Sequence, residues 1–274
     1  MIARVIHIWN TAGIGGLLAR YLDRHYDYES IAIARASHDP YGLATEKTLV
    51  WDNRAIIWLI RCVLKARNFD IIHLHSGIQW LPYYRMFYPG KKIILHLHGT
   101  KIRGKWNDVD LSPADMVLVS TKDLLECSPK DTLWLPNPVD EELISKIKTY
   151  KIKKEKGWAF HVDRFAADKA IEYAQENKLQ LVIRNRIMEP QNHELFLKSI
   201  SHFEYYIDVK RDFPGHKEEG KILEAMSLTG LEALALGCKV IDWKGEIQEG
   251  LPPEHRSENV AEHLHHFYSY ELIK

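Results

Sequence analysis

The sequence lacks an excess of charge of either sign, a usable set of cysteines and any long hydrophobic run. Lys and Arg number 37 and Asp and Glu also number 37, so the formal net charge is zero. A general nucleic-acid binder needs a basic excess to displace counterions from phosphates, and none is available. The three cysteines, Cys62, Cys127 and Cys238, are odd in number and far apart, which argues against a disulfide framework and for a reducing cytoplasm. No apolar stretch reaches the roughly 18 residues of a membrane-spanning helix, and a strand pattern begins at once, with no signal-peptide pattern before it. Repeats at solenoid spacing and low-complexity tracts are also missing. What is present is 46% hydrophobic residues, enough to bury a sizeable core. At about 150 residues per domain, the 274 residues suggest two domains.

Short apolar runs alternate with helical patterns. Strands are expected near 4–9, 30–34, 48–51, 70–74, 92–97, 115–119 and 132–135. The clearest helix, from Asn53 to Arg67, carries Ile56, Ile57, Ile60, Val63 and Leu64 on one side. The pattern breaks at Leu135-Pro-Asn-Pro-Val-Asp140 and restarts at Gly157, with strands near 158–161, 180–183, 205–209 and 239–241. Helices are expected near 166–176, 193–199, 228–236 and 259–268. Such alternation predicts α/β architecture with parallel sheets covered on both faces. The expected division is a first domain over 1–140, a linker over 141–156, a second domain over 157–257 and a C-terminal helix over 258–274. Ligands are expected beyond the carboxyl ends of the strands, in a central crevice between two doubly wound halves.

Two segments could carry chemistry. In Glu224-Ala-Met-Ser-Leu-Thr-Gly-Leu-Glu232, Thr229 and Glu232 have capping-box spacing, and Gly237 fits a helix stop. A helix starting at Thr229-Gly230 would expose bare amides and a positive dipole end to an anion. Glu232 reads equally well as a cap and Glu224 as a solvated carboxylate. Earlier, Arg164 and Lys169 stand five apart after a strand, where two cations could clamp a diphosphate or simply face solvent.

Taken in order, these elements resemble the GT-B glycosyltransferases of family 4, through Arg-x-x-x-x-Lys followed by Glu-x₇-Glu in the second half. The first half agrees in its Gly15-Gly16 step after the first strand, Asp70-Ile-Ile-His-Leu-His-Ser76, His96-Leu-His-Gly-Thr100, Asp115-Met-Val-Leu-Val-Ser-Thr121 and Leu135-Pro-Asn-Pro-Val-Asp140. The resemblance covers nearly the whole chain and implies two Rossmann-like domains facing a crevice. It implies that Arg164 and Lys169 hold the diphosphate of a nucleotide-sugar donor, with the amides of Thr229, Gly230 and Leu231 and the Gly15-Gly16 loop nearby. Glu232 would bind the ribose hydroxyls, Glu224 the transferred sugar, and His98 would stand beside that sugar. The implied reaction is sugar transfer to a hydroxyl acceptor with retention of configuration. Two positions depart from the family pattern: Asp163 replaces the usual glycine before the diphosphate arginine, and Ser227 stands where many members have glycine.

Other signals compete. His73-x-His75, His96-x-His98 and His263-x-His265-His266 suggest metal ligation, but no third ligand is identifiable, so no metal is expected. Asp108-x-Asp110 lies in a polar loop and reads as solvated. No cofactor is expected beyond the donor itself. The aromatic and basic run Trp80–Lys92, with Arg54, Arg61, Lys65 and Arg67, suggests peripheral membrane contact, and the family resemblance implies that such a surface serves a lipid-linked or glycan acceptor. The expected partners are thus a nucleotide-diphosphate sugar and a hydroxyl acceptor, without nucleic acid. The alternatives are a nucleotide-sugar epimerase of related fold and an inactive scaffold binding a nucleotide or a partner.

Overall fold

The computed structural model describes residues 3–52, 54–99, 102–162, 166–186, 188–212 and 220–271. The chain divides into two compact units, residues 1–138 with 257–274, and residues 139–256.

In the first unit the strands are β1 (Ala3–Ile8), β2 (Tyr28–Arg35), β3 (Thr48–Trp51), β4 (Ile71–His75), β5 (Lys92–Leu97), β6 (Met116–Val119) and β7 (Leu133–Trp134). They form one parallel sheet in the order β3-β2-β1-β4-β5-β6-β7. The connecting helices are α1 (Ile14–His25), α2 (Ala55–Ala66) and α3 (Leu81–Phe87). The chain adds strands outward to β3 and then resumes on the other side of β1. The β1/β4 boundary is therefore the topological switch point, where an open parallel sheet leaves a crevice at its carboxyl edge.

The strands are buried on both faces, which is why they read as continuous apolar runs. One face, with Ile6, Ile8, Ile72, Leu74, Ile93 and Leu95, packs on Trp58, Leu59 and Cys62 of α2 and on Leu81 and Tyr84 of α3. The other, with Val5, Ile71, Ile94 and Leu118, packs on Ile14, Leu18 and Leu22 of α1. The apolar residues that betray α2 in the sequence are not its anchor. Ile56, Ile60 and Leu64 are 60%, 52% and 65% exposed, while Trp58 is fully buried and donates its indole N–H to Ala34 O at 3.2 Å.

The second unit opens with a helix, α4 (Glu141–Lys148), where a linker was expected. Asp140 caps it by accepting the Leu143 N–H, and Ile144 and Ile147 enter the core of this unit, so residues 141–148 are part of its fold. There follow β8 (Glu155–Val162), α5 (Ala167–Glu176), β9 (Gln180–Arg184), α6 (His193–Ile200), β10 (Phe203–Ile207), α7 (Leu228–Ala235), β11 (Lys239–Ile241) and β12 (Ile247–Gln248). The sheet order is β12-β11-β10-β8-β9, parallel except for β12, which returns antiparallel on β11. Here the switch point lies between β8 and β10. Gly237 ends α7 at φ 76°, a left-handed stop that a side chain would strain.

The last helix, α8 (Ser257–His266), returns to the first unit. Val260, Leu264 and the following Tyr268 are fully buried beside α1.

Gly15 and Gly16 lie inside the first turn of α1 rather than in a loop. A Cβ on Gly16 would stand 2.5 Å from both Thr45 Oγ1 and Thr48 Oγ1, and one on Gly15 would crowd His7 and the His75 ring. Gly16→Ala is therefore expected to destabilise the fold by about 1–3 kcal/mol, the usual cost of overpacking, despite alanine's better helix propensity. Urea unfolding monitored by circular dichroism checks this; an unchanged or higher midpoint would contradict it.

Candidate functional site

The carboxyl edge of the first sheet holds a cavity of about 370 Å³. The residues following β1, β2, β4 and β5 line it, among them Asn10, Arg35, His38, His75, Gln79 and His98. It therefore straddles the switch point, in the size range of small-ligand sites. The backbone around it is unusual. Trp9, Ala12 and Ser76 have φ of 66°, 51° and 67°, and Gly13, Gly77 and Gly99 are also left-handed. Non-glycine residues adopt this conformation only where the surroundings impose it, and such residues cluster at functional sites.

Beneath the cavity lies a row of imidazoles. Side chains alternate along a strand, and β1, β4 and β5 pair His7 with His73 and His75 with His96. His7, His73, His75, His96 and the following His98 thus share one face. The first four are fully buried, and His98 is partly exposed. His7 Nδ1 lies 3.0 Å from His75 Nε2, and His75 Nδ1 lies 3.0 Å from His98 Nε2, giving a chain of three rings that ends at the cavity. His73 Nδ1 pairs with Tyr268 Oη at 2.7 Å. Among the described residues neither ring nitrogen of His96 has a hydrogen-bond partner. Burial lowers every member of the row below the ordinary histidine range: His7 to about 3, and His98 to about 4 with Asn137 acting the other way. His73, His75 and His96 are lowered as well, by burial first and by their neighbours' charge second. Neutral imidazoles at the cavity can donate or accept a proton by choice of tautomer.

In the second unit the helix start departs from the expected capping box. Ser227, not Thr229, is the N-cap of α7: its Oγ accepts the Gly230 N–H at 3.0 Å, and its carbonyl accepts the Leu231 N–H. Asp208, after β10, in turn accepts the Ser227 N–H at 2.6 Å and the Ser227 hydroxyl at 2.7 Å. The amides of Gly230 and Leu231 are therefore not bare, and a buried carboxylate already answers the helix dipole. Gly230 is required because a Cβ there would meet Asp208 Oδ2 at 2.3 Å. Glu232, 4% exposed, pairs not with the cap but with His193 of α6, whose Nε2 lies 2.8 Å from its Oε1.

The remaining expected residues are spread along this edge. Lys169 is exposed in the first turn of α5 with its Nζ 2.6 Å from Glu172. Glu224 is exposed ahead of α7. Arg164, like Asp163, lies outside the described residues; β8 ends at Val162, just before them. The edge also holds cations that the sequence reading passed over. Arg211 makes a two-pronged pair with Asp168 at 2.7 and 2.8 Å, and Arg186 lies 4.2 Å over the Phe196 ring and 3.1 Å from His193 Nδ1. Their signal was position alone, two residues past β9 and four past β10. His7 was missed too; its signal was an odd-numbered place on β1, in register with His73. Asp108 and Asp110 are exposed. His263 and His265 fall on a helix, where residues two apart do not share a face.

No protein-family model matches the chain, and no characterised protein matches it in sequence. Solved structures do match in fold. An α-glucosyltransferase in complex with UDP is 10% identical with a TM-score of 0.56, over 89% of this chain and 81% of that one. An α-glucosyltransferase with UDP-glucose and DNA containing an abasic site gives 10% identity and 0.52, over 89% and 80%. The UDP-GlcNAc 2-epimerase of Neisseria meningitidis, bound to UDP-GlcNAc, gives 12% and 0.50, over 97% and 92%. At these identities the likeness establishes the fold, two Rossmann-like α/β domains of the GT-B type.

The buried row sets an acid limit on the protein. The unfolded chain binds protons near pH 6.5, whereas the folded row resists them until about 4 at His98 and about 3 at His7. In that window the unfolded state holds more protons, so stability falls as pH drops, by about 1.4 kcal/mol per pH unit for each imidazole involved. The melting temperature in EDTA-containing buffer is expected to fall steeply from pH 7 to pH 5. A flat profile would contradict the burial of these rings.

Proposed function

We propose that this chain is a nucleotide-sugar enzyme, and specifically a glycosyltransferase that moves a sugar from a nucleoside-diphosphate donor to a hydroxyl acceptor with retention of configuration and without a metal at the diphosphate. The observation that carries the reading is the cavity at the switch point of the first sheet, with His75 and His98 in its wall and left-handed backbone around it. The order of Arg164, Lys169, Glu224 and Glu232 in the second domain supports it, as does the fold shared with an α-glucosyltransferase that binds UDP.

In this reading the bond from the anomeric carbon to the phosphate oxygen breaks, the sugar gains oxocarbenium character and the diphosphate takes up negative charge. Lys169, exchanging its present partner Glu172 for a phosphate oxygen, and Arg164 stabilise that charge. The acceptor oxygen bonds to the anomeric carbon, and its proton passes to the departing phosphate. Glu232 holds the ribose hydroxyls, its orientation fixed by His193, and Glu224 holds the sugar. His98, partly exposed but kept neutral by desolvation, contacts a sugar hydroxyl. Since the Gly230 and Leu231 amides are already bonded, side-chain cations rather than that helix start carry the phosphate interaction.

A second reading, nucleotide-sugar epimerisation, is supported by the epimerase likeness over 97% of the chain and by several proton-carrying rings at one cavity. Thermal-shift titration with UDP-, GDP-, ADP- and TDP-sugars tests both. A stabilising nucleotide sugar is expected, worth about 2.7 kcal/mol at a hundredfold excess over its Kd. Glu232→Ala and Lys169→Ala should each weaken that binding about tenfold or more, in line with loss of a charged hydrogen bond. Stabilisation by no nucleotide sugar would overturn the proposal, and epimer formation without acceptor would select the second reading. Transfer assays should include a hydroxymethyl-bearing DNA among the acceptors, because neighbours of this fold bind DNA.

The acceptor side carries a further expectation. Ile56, Ile60 and Leu64 on α2, and Met86 and Phe87 on α3, are exposed, as are Arg54, Arg61 and Arg67 in and beside α2, a composition that suits an anionic membrane surface. None of the helices among the described residues is long and apolar enough to cross a membrane. Co-flotation with phosphatidylglycerol vesicles at low salt, lost in Ile60→Glu/Leu64→Glu, is expected; absence of flotation by the unmodified protein would remove membrane contact from the reading.

A further inference from the structure

The histidine row contains more ligand capacity than its hydrogen bonds use. One ring nitrogen from each of His75, His96 and His98 lies within 4.8 Å of the other two. His75 Nδ1 and His98 Nε2 are already only 3.0 Å apart. Nitrogen ligands at about 2.0–2.1 Å from a tetrahedral ion stand about 3.4 Å from one another, so small ring rotations suffice. His96 gives the independent sign of a missing partner: it is fully buried, and both its ring nitrogens lack a hydrogen bond among the described residues. A buried polar atom without a partner carries a desolvation cost that a ligand would remove.

We propose that His75, His96 and His98 form a site for a divalent transition ion of zinc type, with a fourth coordination position open to the cavity. The ligand set is three imidazoles and no carboxylate, which favours borderline ions such as Zn²⁺, Co²⁺ or Ni²⁺ over Mg²⁺ or Ca²⁺. Three protein ligands and one open position make the composition of a reactive site rather than a closed structural one. His75 and His98 line the cavity, so the open position faces a space that a substrate oxygen or water can enter. With no carboxylate in the trio, the ion keeps its full charge toward that space and prefers an anionic oxygen there.

The surroundings suit ligation. With Nδ1 on the metal, His75 carries its proton on Nε2, which faces His7 Nδ1 at 3.0 Å and donates to it; His7 thereby fixes the ligand's tautomer and orientation. A second trio, His7, His73 and His75, is also close enough to ligate. It shares His75, however, while His7 and His73 are fully buried away from the cavity wall and His73 Nδ1 is committed to Tyr268, so the outer trio is the site assigned.

This inference is independent of the glycosyltransferase reading, because its readout is metal binding and not turnover. The experiment titrates the full chain, first stripped with EDTA, with Co²⁺ and follows the visible ligand-field bands, in competition with Zn²⁺. One strong equivalent is expected, together with a rise in melting temperature. His96→Gln and His98→Gln should each weaken Co²⁺ by more than the roughly 10–100-fold that loss of an outer-shell partner costs. His73→Gln should retain it within about threefold. Should the substitutions unfold the protein, X-ray absorption of the Zn²⁺-loaded native chain decides, with three imidazoles and one oxygen expected. The proposal falls if the native chain binds no Co²⁺, if His73→Gln loses binding equally, if binding survives both His96→Gln and His98→Gln, or if the absorption shell holds fewer than three imidazoles.

Discussion

The first domain is organised around four buried imidazoles and a fifth, partly exposed one, on one face of a parallel sheet, at the place where its topology opens a crevice. Burying neutral rings demands that their polar atoms be paired or ligated, and the neighbouring elements meet that demand only in part: Tyr268 pairs with His73, while both nitrogens of His96 lack a partner among the described residues. Helix α1 approaches so closely that its first turn needs glycine at 15 and 16, one against the histidines and the other against Thr45 and Thr48. The C-terminal helix returns so that Tyr268 reaches His73, 195 residues away in sequence. The cavity above them is the continuation of the same arrangement. Its wall is the outermost pair of rings, and its rim is the strained backbone that turns each strand away from the row.

The second domain solves a different problem at the corresponding edge. Its sheet also has a switch point, but carboxylates already occupy the nearest electrostatic positions. Asp208 holds the start of α7 through Ser227, and Glu232 is held by His193. The cations there, Lys169, Arg211 and Arg186, are each engaged with a neighbour. An edge built this way is charged and locally neutral at once. An incoming anion is accommodated by exchanging exposed ion pairs, which are individually weak, while the buried pairs keep the scaffold fixed.

The strands were legible because parallel strands buried on both faces appear as unbroken apolar runs, and eleven of them were placed from such runs. Only β12 was missed, a two-residue return that no run marks. The helices were less legible in orientation. On α2 the aliphatic stripe Ile56, Ile60 and Leu64 announced the helix, yet Trp58, Leu59 and Cys62 seat it, since periodicity does not say which apolar side meets the sheet. The charged segment 141–148 read as linker because only two of its residues, Ile144 and Ile147, enter a core. The capping error has the same origin: Ser227 and Thr229 are chemically equivalent caps, and Asp208, nineteen residues from Ser227, decides between them.

The sequence by itself determined the neutral charge, the α/β alternation, the division into two domains and the order of cations and carboxylates in the second half. Those properties depend on composition and on spacing along the chain. Tertiary structure alone decided which groups meet. The register of three strands turned two separate His-x-His pairs and a solitary His7 into one buried row, and the sheet's switch point set a cavity on its end. Such juxtapositions depend on hydrogen-bonded register between distant strands, and a one-residue shift in that register would have turned each ring to the opposite face.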